Sequence, residues 1–259
     1  MDAILNQAPQ FVLAFLRVGA LFLATPFFNS NQFPTQIKVG FAFLTTLLLF
    51  PSLPVASWPP VTTLFGLLAV AVGELAVGMM IGMVVLILLS AIELAGYLAG
   101  FQMSFTMAVA FDPNFGEQTN ILTSFLSTFA LLVFLGVGGD HSVLRVLADS
   151  FTRLPPGGLA FRREGLDLIT AWLTSAFKLG VRLSAPVVVV LLIVDVIIGV
   201  IGKMASKIQI FFVAIPLKVS LGLFLFSGIL GFVVTVWGRE VGRLPGILVQ
   251  LLSQVSRHG

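Results

Sequence analysis

Ionisable side chains lie inside otherwise apolar stretches of this sequence: Arg17, Glu74, Glu93, Lys178, Arg182, Asp195 and Lys218. Charges at membrane depth are costly, so they pair or face water, and a row of them can relay protons. Here the acidic members are scattered among positive ones, which favours structural ion pairs over a proton path. Other chemistry is poorly provided for. The chain has no cysteine, which removes thiol nucleophiles, disulfides and Cys-ligated metals, and its two histidines, His141 and His258, do not make a conventional metal site. It contains no GxSxG elbow, phosphate loop or zinc-type histidine pair, and Asp140 beside His141 reads more simply as a helix N-cap. This is the profile of a non-enzyme without a cofactor.

A second kind of site lies in the run from Glu93 to Gly116, rich in Gly, Met and Phe, which breaks at Asp112-Pro113. Proline lacks an N–H and pushes the residue before it out of the helical region, so a helix is predicted to stop there. Gly116 then permits a turn Asp112-Pro113-Asn114-Phe115-Gly116, with Phe111 leading into it. In a bilayer such irregular backbone must be covered by protein or line an aqueous path. Met103, Phe105, Met107 and Phe111 approach the turn. They suit ordinary packing, and they equally suit a constriction, because flexible thioethers close softly and an apolar ring excludes water.

The elements that must hold these residues are apolar helices. Of the 259 residues 58% are hydrophobic and only 10% charged, with mean hydropathy +1.09, against roughly 25% charged in soluble domains. The net charge of +3 is spread over short connections, which argues against a nucleic-acid partner. No Lys or Arg precedes the first apolar run and no small-residue cleavage site follows it, so that segment is expected to remain in the mature chain. The predicted helical stretches are Phe11 to Phe28, a short Val39 to Phe50, Val61 to Phe111, Ile121 to Gly139, an amphipathic Ser142 to Phe151, Leu168 to Ile201 kinked at Pro186, and Ile210 to Trp237. As one helix, Val61 to Phe111 would be ~75 Å long, so a reversal is expected around Ser90 to Glu93, unless the helix leaves the membrane. Gly78 with Gly82, and Gly96 with Gly100, have the spacing that lets helix backbones approach closely, within or between subunits. The fold class is all-α, a polytopic set of helical hairpins with kinked and broken helices, divided at the soluble-looking connection into 1–165 and 166–259.

Taken in order, several features resemble one family over nearly the whole length: Arg17 followed by Pro26, Pro34 and Lys38; Gly73-Glu74 with Gly78 and Gly82; Met103 leading to Asp112-Pro113; Asp140-His141, Ser150-Phe151 and Leu154-Pro155; then Pro186, and Pro216 with Lys218. The chain is similar to the FliR/SctT family of type III secretion export-gate subunits, and more to its flagellar than to its injectisome branch. In the C-terminal hairpin it departs from the family, with Ser206-Lys207-Ile208-Gln209 where relatives often carry a Pro-Gln-Leu-Asn-like turn.

The resemblance implies a FliP-like N-terminal half with a central plug loop and a FliQ-like C-terminal hairpin. It implies a hetero-oligomeric, helical cone with FliP and FliQ, with FlhB and FlhA as further partners. The location implied is the bacterial inner membrane at the flagellar basal body, with much of the assembly above the membrane plane. Unfolded flagellar proteins would pass through the channel, with Met103 to Gly116 as its plug. A small-solute or proton-coupled transporter, with Glu74 and Asp195 as its charges, and a passive assembly scaffold are the alternatives from other classes.

Overall fold

The computed structural model describes residues 7–25, 34–58, 63–105, 121–160, 163–204 and 210–256. Among these the chain is helical: α1 (Ala8–Ala24), α2 (Thr35–Leu49), α3 (Leu64–Gln102), α4 (Ile121–Gly136), α5 (Gly139–Arg153), α6 (Arg163–Met204) and α7 (Ile210–Val255). Short 3-10 turns, Phe50–Ser52 and Val55–Ser57, follow α2. By length and composition four helical stretches can cross a membrane, Thr35–Ser52, Leu64–Gln102, Arg163–Met204 and Val213–Val255. The pair α4 and α5, bent by 64° at the break between them, makes a fifth if it counts as one broken span. The protein is thus an all-α, polytopic membrane protein.

Several boundaries differ from those the sequence predicts. α3 runs unbroken through Ser90 to Glu93, where a reversal was expected, and ends at Gln102; the stop expected at Asp112-Pro113 lies outside the described residues. Its 39 residues contain no proline and are apolar on every side, and 61% of its most apolar stretch is buried. A helix enclosed by protein need not match a bilayer's thickness. The corresponding stretches of α6 and α7 are only 11% and 17% buried, so these helices present apolar surface outward. α7 continues well past Trp237, and α2 begins directly after Pro34, reaching 18 residues with its 3-10 turn.

Asp140 is not the N-cap of α5. That place is taken by Gly138, whose φ of 75° is left-handed backbone that glycine adopts without strain, and no side chain caps the helix. Asp140 instead sits in the first turn, near the positive end of the helix dipole, and its Oδ1 lies 3.0 Å from His141 Nδ1. Arg145, Asp149 and Arg153 lie away from the interior while Val143, Leu147 and Phe151 are buried, the amphipathic pattern their spacing predicts.

The residues divide into two compact units. The first comprises 1–87, 138–173 and 242–259. In it α1 lies so close to α3 that a Cβ on Gly78 would fall on the Arg17 carbonyl oxygen, and one on Gly82 would come within 2.5 Å of Ala24 Cβ. Phe43 and Phe50 meet Phe11 edge-on at 5.6 and 5.3 Å, and Trp58 stacks on Phe151 at 5.7 Å. Ala160 N–H donates to the Val255 carbonyl at 2.8 Å, fastening the connection after α5 to the end of α7.

The second unit comprises 88–137 and 174–241. Leu122, Leu126, Ala130 and Phe134 form one stripe of α4 and are buried with Ile92, Ala95 and Ala99 of α3, Leu183 and Val187 of α6, and Phe226 and Val233 of α7. Trp237 Nε1 donates to the Ala130 carbonyl at 3.0 Å. Gly96 faces the Thr123 backbone, with 2.8 Å left for a Cβ, and Gly180 faces the Ala91 carbonyl with 2.7 Å. Gly100 is buried.

The close approach at Gly78 has a measurable consequence. Gly78→Ala presses a methyl group onto backbone that cannot rotate away, and is expected to cost ~1–3 kcal/mol. Gly199→Ala, where a Cβ meets nothing within 4 Å, is expected to be neutral or to gain up to ~1 kcal/mol from helix propensity. Melting curves of the detergent-solubilised full chain compare the two; equal melting temperatures would contradict the packing argument.

Candidate functional site

Three polar residues of the second unit, Gln102, Asp195 and Lys218, meet where α3 ends. Gln102 Nε2 donates to Asp195 Oδ2 at 2.6 Å, and Asp195 also accepts from Lys218 Nζ, at 2.8 Å to Oδ1 and 3.0 Å to Oδ2. One carboxylate thereby ties together α3, α6 and α7. The Asp195 side chain retains 40% of its exposure and that of Lys218 12%, so the lysine is the more enclosed partner and depends on the carboxylate for compensation.

Directly after Gln102 the backbone leaves the helix. Met103 N–H still reaches the Ala99 carbonyl at 2.9 Å, Ser104 N–H bonds the Phe101 carbonyl at 3.0 Å, and Ser104 has φ 66°. Left-handed backbone at a helix C-terminus is usually glycine, and another residue there costs roughly 1–2 kcal/mol. Two contacts offset it. One is the Gln102 hydrogen bond. The other is Met103, which is wholly buried against Gly222 of α7; a Cβ at Gly222 would lie 2.5 Å from Met103 Cγ, 2.9 Å from Cε and 3.0 Å from Sδ. The thioether therefore occupies the space a side chain at 222 would need. Phe105 is half-buried. Met107, Phe111, Asp112, Pro113, Asn114, Phe115 and Gly116 lie outside the described residues.

The first unit holds a second charged centre. Arg17 Nε donates to Glu74 Oε2 at 2.7 Å and Nη2 to Oε1 at 3.0 Å, a two-pronged pair with both side chains essentially inaccessible. The guanidinium also donates to Ser150 Oγ at 3.0 Å and to the Leu154 carbonyl at 2.8 Å, and its Cζ lies 4.3 Å above the Phe151 ring. The Ser150 hydroxyl in turn donates to the Leu147 carbonyl at 2.6 Å, and the Gly157 backbone N–H donates to Glu74. Every group in the cluster has a partner. Such a network clamps α1, α3 and α5 to one another and has no free acceptor through which a proton would travel.

Of the charges singled out in the sequence, Arg17 and Glu74 meet, as do Asp195 and Lys218. Glu93 is exposed on α3 and bonds Ser127, on the same helix as Glu74 rather than on the other arm of a hairpin. Lys178 and Arg182 are exposed on α6 and form no ion pair among the described residues. Sequence reasoning did not single out Gln102 or Gly222. A glutamine closing an apolar helix is a weak signal, and a glycine in a helix is weaker.

Sequence comparison bears on what these centres serve. Residues 8–244 match the family described as bacterial export proteins, family 1. The flagellar biosynthetic protein FliR of Caulobacter vibrioides is 30% identical over 87% of this chain and 90% of its own length. That of Escherichia coli is 27% identical over 93% and 91%. The secretion system apparatus protein SsaT of Salmonella typhimurium is 26% identical over 80% and 81%. With nearly every helix described above inside the matched span, and relatives aligned along most of their own lengths, the chain belongs to the FliR family of bacterial export proteins.

Proposed function

We propose that this chain is a structural and gating subunit of the flagellar type III protein export gate. Membership of the export family along 8–244 carries the reading, and likeness to flagellar FliR proteins along most of their length supports the flagellar system. With FliP and FliQ it forms the channel through which unfolded flagellar proteins leave the cell, with FlhB and FlhA as neighbours, in the inner membrane at the basal body. Residues 1–165 take the FliP-like role and 166–259 the FliQ-like role. The outward apolar surfaces of α6 and α7 then serve sister subunits as well as lipid. The segment from Met103 to Gly116 acts as the plug, and the α3 terminus described above is its root. A non-enzymatic role fits the enclosed, fully partnered Arg17 cluster.

Deleting Asp112 to Gly116 tests the plug. Cells carrying the deletion are expected to leak ions while the tagged chain still co-purifies with FliP and FliQ; assembly with unchanged leak would leave only the scaffold. The likeness to SsaT supports a second reading, an injectisome subunit. Complementation separates the two, since a flagellar subunit restores motility to a strain lacking its FliR and an injectisome subunit does not.

A further inference from the structure

In the first unit a cavity of about 160 Å³ lies between α1 and α2. Phe15, Gly19, Leu23, Val39 and Ala42 line it together with Leu75 of α3, and the only charged residue lining it is Lys38. A Cβ built on Gly19 meets nothing within 4 Å, so this residue borders open space rather than a packed neighbour. Leu23 and Val39 are 56% and 50% exposed, and they open the cavity onto the apolar exterior of α2. An apolar recess of this size, open on the outer side of α2 and lined by aliphatic and aromatic side chains, suits an apolar chain better than water.

Lys38 fixes which apolar molecule. It is half-buried and has neither an ion pair nor a side-chain hydrogen bond among the described residues. It stands in the first turn of α2, and no other charge occurs from Thr35 to Ser52, so it marks the polar end of that span. A lysine there reaches for the phosphate level of a bilayer while its stem lies along apolar surface.

From this arrangement we infer that the cavity between α1 and α2 holds an acyl chain of an anionic phospholipid whose phosphate sits on Lys38. The lipid fills the gap over Gly19 and compensates the lysine, and so fastens α2 to α1 from the membrane side. This inference needs only a membrane-embedded chain and stands apart from the gate reading.

Native mass spectrometry of the full chain, purified in detergent with its co-purifying subunits and mixed with phosphatidylglycerol or phosphatidylcholine, tests it. The wild-type chain is expected to retain one phosphatidylglycerol with about fivefold preference over phosphatidylcholine. Gly19→Leu, which puts a side chain into the cavity, removes retention of both lipids. Should that variant not fold, Val39→Trp closes the mouth from an exposed position with the same expected loss. Lys38→Gln abolishes the preference but keeps the acyl chain, and Lys38→Arg preserves both. Retention by Gly19→Leu or Val39→Trp equal to wild type, no lipid on the wild-type chain, or a photo-crosslinker at Val39 that captures only a neighbouring subunit would each overturn the assignment.

Discussion

Glu74→Gln is expected to remove most of the folded chain from the membrane. The substitution preserves size but takes away the charge that compensates Arg17, whose guanidinium is fully enclosed and has no water to turn to. Breaking a buried pair on one side typically costs ~3–5 kcal/mol, a large share of the ~5–15 kcal/mol by which domains are stable. Arg17→Lys should be nearly as damaging. An ammonium cannot supply the two-pronged contact to Glu74 together with the donations to Ser150 and the Leu154 carbonyl. The paired change Arg17→Met with Glu74→Leu should recover some of the loss, because no buried charge remains, although the Leu154 carbonyl is then left without its donor. Abundance in membranes and the melting temperature of the solubilised chain read all of these. The comparison also separates structure from transport: if Glu74 carried protons, Glu74→Gln would leave abundance and melting untouched while abolishing activity.

The same cluster shows how far the sequence could be read. Arg17 and Glu74 stand out singly because each is expensive in an apolar run, yet nothing in their 57-residue separation marks them as partners. Ser150 and Leu154 could not be assigned to them, since one contributes a common hydroxyl and the other only a backbone carbonyl. The helical class and the amphipathic face of α5 were legible from period and composition. α3 shows no reversal because bilayer thickness limits only a helix that lies in lipid, and much of α3 is covered by protein. Gly138 took the cap expected of Asp140, since glycine adopts the left-handed backbone before α5 without strain and no side-chain cap is made there. In the candidate site, proline at 113 carries a breaker signal and Ser104, in left-handed backbone just beyond the end of α3, carries none. What holds this serine in left-handed backbone is tertiary: the Asp195 carboxylate and the slot at Gly222.

That slot gives the most direct test of whether the α3 terminus controls the segment beyond it. Gly222→Val puts a Cβ within 2.5 Å of Met103 Cγ and adds two further carbons, while Met103 is wholly enclosed. Overpacking of this kind costs ~1–3 kcal/mol, and the unbranched methionine is the partner better able to move. Its departure would pull on Ser104 and on the Gln102 hydrogen bond to Asp195, releasing the root from both of its anchors. Cells carrying Gly222→Val are therefore expected to leak ions several-fold more than wild type while the chain stays abundant. Met103→Ala removes as many heavy atoms as Gly222→Val adds, so the double variant should pack again and return the leak toward the wild-type level, as volume-conserving exchanges do. Met103→Ala alone leaves a void, which predicts a lower melting temperature and a partial leak. Rescue by the second substitution is the decisive reading, because it ties the leak to the contact between 103 and 222 rather than to general damage in α7. A Gly222→Val leak that persists unchanged in the double variant would remove Met103 from the account, and a silent Gly222→Val would show that the enclosed thioether is packing alone.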